Sequence, residues 1–322
     1  MSPEPTRPRD LTGPKFGRNA SATILTERGI EKRIDGLVGE HPRHQRDLDG
    51  AIAAALAAGA VVRRFYDEET AATYAKGDGS PVTDADLAAD QAIRRVLTER
   101  FPDDAILSEE VQDNDDRLSV ARCWIVDPID GTEQFIRRTG EFDVLVALVE
   151  NGRPVAAAGY QPSTRLLITA LNNGGTWLRS GESAWRRVRF EPAGAQLRIG
   201  TSVWFGSPGN AAIIDSVANR LGVAQERPAV TGFSPRLFLP PREIDVMIGV
   251  RPGADQTMAS EWDFAVTDLV IHEAGGKVTD LSGEQLRYNK PVPHNVGGLV
   301  AAADPASHVR VLAALQPELN GL

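Results

Sequence analysis

Residues 124–132 read Trp-Ile-Val-Asp-Pro-Ile-Asp-Gly-Thr, an apolar stretch that runs into two aspartates and then into Gly-Thr. The apolar part predicts a buried strand. Asp127 and Asp130 cannot face the same way on an ideal strand, because side chains alternate between its two faces. Pro128, however, interrupts the strand ladder and allows a turn that brings both carboxylates to one point. We therefore expect a cation site at this turn.

The residues after the turn favour an anion. Gly131 and Thr132 are predicted to open a short helix over 132–138, and the exposed N–H groups at a helix start attract phosphate. A cation site and an anion site would then lie side by side. The alternative is a solvated acidic turn, since aspartate and glycine are common turn residues.

Other acidic residues have two readings each. Glu109 and Glu110 follow a second apolar run and could be surface charge, while Thr83-x-x-Asp86 and Ser260-x-x-Asp263 both fit a helix capping box. If the segments converge, the side chains of Glu109, Asp127, Asp130, Asp263 and Asp86 form an all-oxygen cluster. Such a ligand set suits Mg²⁺ rather than zinc.

Charge repulsion strengthens the case for metal. Two carboxylates about 4 Å apart repel by ~4 kcal/mol at an effective dielectric near 20, so four or five of them need divalent cations to remain ionised together. Two Mg²⁺ ions would nearly balance the cluster and leave it able to receive a phosphate dianion. The arithmetic favours phosphate chemistry.

Composition narrows the class of protein. The chain has 322 residues, 42% hydrophobic and 25% charged, with a net charge of −9, which indicates an ordinary globular protein and argues against nucleic-acid binding. One cysteine and five scattered histidines exclude a Cys/His zinc cluster. No transmembrane run or signal-peptide pattern is present, so we expect a soluble, cytoplasmic protein without a membrane partner.

The chain divides into an arm and a larger unit. Residues 1–47 are rich in proline and arginine and are predicted to be a disordered or extended arm. Residues 48–322 are predicted to form the main domain, as two packed αβ halves divided near residue 195. Hairpins are expected at Asn151-Gly152 and Asn173-Gly174. Hairpins mixed with helices favour an α+β fold.

The ordered motifs resemble those of the inositol monophosphatase superfamily of Mg²⁺-dependent, lithium-sensitive phosphomonoesterases. They are SPVTDAD (80–86), ILSEE (106–110), WIVDPIDGT (124–132), WD (262–263) and HEAGG (272–276). Several motifs in order are far more specific than any one of them. The resemblance implies a layered αβαβα fold and, commonly, a homodimer.

The resemblance also implies roles for individual residues. Glu109, Asp127 and the Ile129 carbonyl would hold one metal, and Asp127, Asp130 and Asp263 the second. Asp86 and Thr132 would position the attacking water, so that Asp86, Thr132 and Glu109 are the expected catalytic residues. The N–H groups of Gly131 and Thr132 would hold the phosphate. The implied reaction is direct in-line attack by a metal-activated water, without a covalent phosphoenzyme.

The substrate is less clearly marked. Residues 130–162 look most like the 3'(2'),5'-bisphosphate nucleotidase branch, which acts on 3'-phosphoadenosine 5'-phosphate, but that branch's Gly-Ser-x-x-Lys segment matches poorly at 231–236. Gly200, Thr201 and Ser202 resemble the sugar-contacting segment of inositol monophosphatases, although Gln256 stands where those enzymes have an acidic residue. The alternatives are an inositol 1-phosphate or other sugar-phosphate phosphatase, and a non-catalytic metal-dependent binding protein. The pairing of Thr132 with Asp86 favours catalysis, because a purely structural site needs only ligands.

Overall fold

The computed structural model describes residues 44–77, 79–202, 208–223, 229–230, 234–239, 242–250 and 257–319. Its helices are α1 (Gln45–Glu68), α2 (Asp84–Arg100), α3 (Thr132–Ile136), α4 (Pro208–Leu221), α5 (Glu261–Glu273) and α6 (Pro305–Leu319). Its first nine strands are β1 (Thr73–Ala75), β2 (Pro81–Thr83), β3 (Ala105–Ser108), β4 (Arg122–Asp130), β5 (Asp143–Glu150), β6 (Arg153–Gln161), β7 (Leu166–Leu171), β8 (Gly175–Ser180) and β9 (Arg186–Val188). The remaining strands are β10 (Ile199–Ser202), β11 (Ala229–Val230), β12 (Val246–Val250), β13 (Thr257–Ser260), β14 (Lys277–Asp280), β15 (His294–Val296) and β16 (Gly298–Ala302).

The first two layers are a helix pair and a seven-stranded sheet. The strands run in the order β3-β4-β5-β6-β7-β8-β9, with β3 parallel to β4 and the others antiparallel. Helices α1 and α2 pack against each other and bury alanine, leucine and isoleucine side chains against one face of the sheet. Gly50 lets Phe101 approach α1, since a Cβ there would lie 2.3 Å from the Phe101 ring. Apolar burial on this face stabilises the first half of the chain.

Helix α5 is the middle layer. It contacts β4–β8 of the large sheet on one side and β14 of a five-stranded sheet on the other. The second sheet has the order β11-β10-β12-β16-β14. Nearly every side chain of α5 between Phe264 and Ile271 is buried, as expected for a helix covered by sheets on both sides.

Helices α4 and α6 pack against the outer side of the second sheet and complete an αβαβα sandwich. The predicted α+β class and layering are confirmed. The large sheet ends at Val188 and the second begins at Ile199, on either side of the division predicted near residue 195. No helix within the described ranges has the length and apolar character needed to cross a membrane.

Local predictions hold with small changes of boundary. Both hairpins form, and Asn151 and Asn173 adopt φ values of 53° and 62° in their turns. Helix α3 ends at Ile136, two residues before the predicted end, because Arg138 has left-handed backbone with φ 59°. Helix α1 begins at Gln45, three residues before the predicted start of the main domain. Its first turn is stabilised by Asp47, which accepts a 2.8 Å hydrogen bond from Arg122.

Candidate active site

Two aspartates, Asp127 and Asp130, lie at the carboxyl-terminal end of strand β4. Its pairing with β5 is regular from Arg122 to Asp127 and then shifts register before Asp130, which is the irregularity expected from Pro128. Backbone pairing resumes at Asp130, so the segment forms a bulge within the strand and not a turn that ends it. The side chain of Asp127 is buried, with 1% of the residue exposed. The solvated-turn alternative is therefore wrong.

Helix α5 supplies the third carboxylate. Asp263 lies in its first turn, and oxygen atoms of Asp127, Asp130 and Asp263 all lie within 4.8 Å of one another. Asp263 Oδ2 also accepts a hydrogen bond of 2.6 Å from the Ser260 N–H, which completes the capping box. Asp263 therefore caps α5 and joins the other two aspartates at the same time. The capping hydrogen bond holds its carboxylate at the start of the helix, which faces β4.

The electrostatics of this trio favour a bound cation. Burial, together with the charge of Glu109, raises the pKa of all three carboxyls. For Asp130 the pKa rises to about 7, through burial first and then through Asp143 and Glu109. One buried and two half-buried carboxylates that repel one another, offering only oxygen ligands, fit a hard divalent cation. The donor set therefore suits Mg²⁺ chemically.

Glu109 lies beside the trio and has a different partner. In the described part of the chain, the group of mutually close ligand atoms contains the three aspartates and not Glu109. Glu109 accepts a 2.6 Å hydrogen bond from Lys76 Nζ, which also donates to Glu110 at 2.9 Å. Burial opposes the charge on Lys76, but the two carboxylates outweigh it and raise the lysine pKa. Metal binding by Glu109 remains a prediction, and Lys76 contacts one of the two carboxylate oxygens that could serve it.

Asp86 and Thr132 meet as predicted. The Thr132 hydroxyl lies 3.0 Å from Asp86 Oδ1, across 46 residues of chain. The other carboxylate oxygen of Asp86 accepts a 2.8 Å hydrogen bond from the Thr83 N–H, so the cap of α2 fixes the aspartate. Burial raises the pKa of Asp86, and the hydrogen bonds from Thr83 and Thr132 oppose that rise. The pair can orient a small hydroxyl-bearing molecule at its exposed side.

The Gly-Thr step is held in a tight conformation. Gly131 has φ 95°, and a Cβ added there would lie 2.9 Å from the Glu141 carbonyl oxygen, so the position requires glycine. The Ile129 carbonyl lies 3.2 Å from the Thr132 hydroxyl, and the Ile129 N–H donates to Asp127 at 3.0 Å. Metal binding by the Ile129 carbonyl and phosphate binding by the N–H groups of residues 131 and 132 remain predictions.

The predicted sugar-contacting segment lies in the other half of the molecule. Gly200, Thr201 and Ser202 are on β10, which pairs in parallel with both β11 and β12. The Thr201 hydroxyl is buried and has no hydrogen-bond partner among the residues that the structure describes. Residues 231–233 of the Gly-Ser-x-x-Lys comparison and Gln256 lie outside the described residues. A substrate role for the β10 residues stays a prediction.

Three residues in or beside the site were not found by the sequence analysis: Asp143, Arg236 and Lys76. Asp143 is the register partner of Asp130 on β5, and Arg236 donates to Asp143 Oδ2 from Nη2 at 3.0 Å. A signal for Asp143 was present, because it is an acidic residue that opens an otherwise apolar strand. Nothing in the sequence links Arg236 to a strand 93 residues earlier. Lys76 was missed for the same reason, since its partners are distant in sequence.

Comparison with known proteins identifies the class. The sequence profile described as the inositol monophosphatase family matches residues 44–229, and the chain belongs to that family. It is a phosphatase of this family, and its acidic trio can bind a metal.

The similar proteins include both CysQ proteins and an inositol monophosphatase. The 3'(2'),5'-bisphosphate nucleotidase CysQ of Aggregatibacter actinomycetemcomitans is 30% identical over 245 residues, which cover 76% of this chain and 87% of that protein. The crystal structure of CysQ from Bacteroides thetaiotaomicron has a TM-score of 0.68 and 29% identity, covering 82% of this chain and 99% of that one. An inositol monophosphatase structure from Zymomonas mobilis has a TM-score of 0.66 and 25% identity, with coverage of 86% and 100%.

Proposed function

We propose that this chain is a Mg²⁺-dependent phosphomonoesterase that removes the 3'-phosphate from 3'-phosphoadenosine 5'-phosphate. The observation that carries the proposal is the convergence of Asp127, Asp130 and Asp263 within 4.8 Å. The hydrogen-bonded pair of Asp86 and Thr132 supports hydrolysis, because metal binding alone does not need it. The family resemblance further leads us to expect that lithium inhibits the enzyme and that the chain forms a homodimer.

The acidic residues would hold the metal, and each has a defined task. Asp127, Asp130 and Asp263 would hold one Mg²⁺, and Asp127 with Glu109 and the Ile129 carbonyl would hold another. When bound, Mg²⁺ lowers the pKa of water and stabilises negative charge on the departing oxygen. Lys76 Nζ donates to Glu109 Oε1 at 2.6 Å, which leaves the other oxygen of that carboxylate as the donor that would hold the metal.

Thr132 and Asp86 would orient the nucleophile. Asp86 accepts the hydrogen of the Thr132 hydroxyl, which leaves the lone pairs of that hydroxyl directed away from the carboxylate. A water molecule can donate to those lone pairs and keep its own lone pair aimed at phosphorus. The cap hydrogen bond from Thr83 holds Asp86 in place, so the orientation does not depend on a mobile side chain.

The choice of a nucleotide substrate is supported by similarity to the CysQ proteins, one of them over 87% of its length. The second candidate is inositol 1-phosphate, which is favoured by the Ile199–Ser202 segment on β10 and by the likeness to the Zymomonas mobilis structure. Both substrates would use the same metal site. They differ in the group that the second half of the chain must bind, a nucleotide or an inositol ring.

The test compares phosphate release from both substrates with purified protein and Mg²⁺. We expect kcat/KM to favour the nucleotide by at least about tenfold. Asp130→Asn should reduce kcat by at least about a thousandfold, because it removes one of the three carboxylate charges that would hold the first metal. Asp103→Asn is the matched control, since Asp103 is exposed on the surface. A tenfold preference for inositol 1-phosphate would replace the nucleotide assignment, and full activity in Asp130→Asn would refute the ligand assignment.

A further inference from the structure

A fourth carboxylate, that of the buried residue Asp143, lies next to the trio. Asp143, at the start of β5, is the register partner of Asp130 on β4, and its side chain is 8% exposed. Residues directly opposite on antiparallel strands have Cβ atoms about 5 Å apart, and like charges so placed repel. Asp143 therefore adds negative charge beside Asp130 without belonging to the group of mutually close ligand atoms found in the described residues.

One oxygen of Asp143 is held from the second half of the chain. Arg236, in the 3₁₀ turn Pro235–Phe238, donates to Asp143 Oδ2 from Nε at 3.2 Å and from Nη2 at 3.0 Å. The Ser234 hydroxyl donates to the same oxygen at 3.3 Å and accepts from the Arg236 N–H, which caps the turn. The guanidinium is thus fixed by the cap as well as by the carboxylate.

We propose that Arg236 and Asp143 form a positioning pair for the metal site built on Asp130. Arg236 holds the Asp143 carboxylate as an ion-pair partner, so that this carboxylate does not become an additional metal ligand. The pair is neutral as a unit, so it contributes little net field at the metal while its members contribute large opposite fields. The proposal rests on the metal site of the proposed function and not on the substrate.

Opposite effects of the two charges give the pair a distinctive signature. Removing the arginine leaves an uncompensated negative charge beside Asp130, and a nearby negative charge strengthens the binding of a divalent cation. Removing the aspartate charge leaves the guanidinium unpaired at the same place, and this weakens cation binding. Removing both restores neutrality. A pair that only stabilised the fold would not produce shifts of opposite sign.

The experiment measures Mn²⁺ binding to the metal-free full-length chain without substrate, by electron paramagnetic resonance of free Mn²⁺ at pH 8. We expect Arg236→Met to lower the Mn²⁺ Kd by at least about tenfold and Asp143→Asn to raise it by at least about tenfold. The double variant should return to within about threefold of the wild type. Arg236→Lys keeps the charge and should also stay within about threefold, although it loses the two-point contact.

Unfolding temperature is recorded for each variant, so that loss of fold is separated from loss of metal. Shifts of the same sign in both single variants, or no shift in either, would overturn the proposal. The double variant and Arg236→Lys keep the test decisive if one single variant does not fold. If the expected Mn²⁺ shifts occur and no phosphate is released from either substrate, the proposed function fails while the pair stands.

Discussion

The stability of the metal-free protein should fall as pH rises. Without metal, the carboxyls of Asp127, Asp130 and Asp263 avoid mutual repulsion only while they are protonated. Asp130 illustrates the size of the effect, since burial, Asp143 and Glu109 raise its pKa from 3.8 to about 7. A group whose pKa is raised on folding stabilises the fold fully below its unfolded pKa, and that stabilisation is lost as pH rises through the folded value. The window for Asp130 is therefore roughly pH 4 to 7.

Between pH 5 and pH 7 the loss from Asp130 alone is about 2 kcal/mol, at about 1.4 kcal/mol for each pH unit until the folded carboxyl itself begins to ionise. For a protein of this size, the loss corresponds to a decrease in Tm of roughly 3 °C. Asp127 and Asp263 also have raised pKa values and add to it in the same direction. Saturating Mg²⁺ should cancel the decrease, since it binds the ionised carboxylates.

The assay is scanning calorimetry in chelator, with wild type and Asp130→Asn compared at each pH. The asparagine does not titrate, so the Tm difference between the two proteins isolates Asp130 from histidines such as His272, whose pKa is also shifted. The advantage of wild type over Asp130→Asn should shrink steadily from pH 5 to pH 7. Asp103→Asn should follow the wild type. A difference that stays level or grows over this range would refute the electrostatic account of the site.

Two further predictions concern single contacts. Thr132→Val should lower kcat by about 10²- to 10⁴-fold, because the hydroxyl that bonds Asp86 at 3.0 Å is lost, while Thr132→Ser keeps most of the activity. Mn²⁺ affinity serves as the control there, and a large change in it would show that Thr132 supports the metal instead. Arg153→Met should lower the free energy of unfolding by about 3–5 kcal/mol, since it strips a bidentate partner from the fully buried Asp268. Arg220→Met, which breaks an exposed pair with Glu318, should cost less than about 1 kcal/mol in urea unfolding, and equal losses in the two variants would contradict this reasoning.

Much of the site could be predicted from local patterns. The stretch 124–132 predicted a buried strand that Pro128 interrupts with a turn, and β4 is buried but has a bulge between Asp127 and Asp130 in place of the turn. The capping boxes at Thr83 and Ser260 were also readable from sequence, because a cap depends on residues only three positions apart. These features depend on backbone chemistry within a few residues, so they need no knowledge of the rest of the fold.

Local sequence patterns were therefore enough to predict an α+β chain with oxygen donors at strand ends and helix starts. Which of these donors meet depends on how the layers pack. This packing brings α5 between the two sheets and places Asp263 beside β4, it pairs Lys76 with Glu109, and it sets Arg236 against Asp143. These contacts join residues 33 to 136 positions apart, and such distances are set by the packing of whole layers rather than by any local preference.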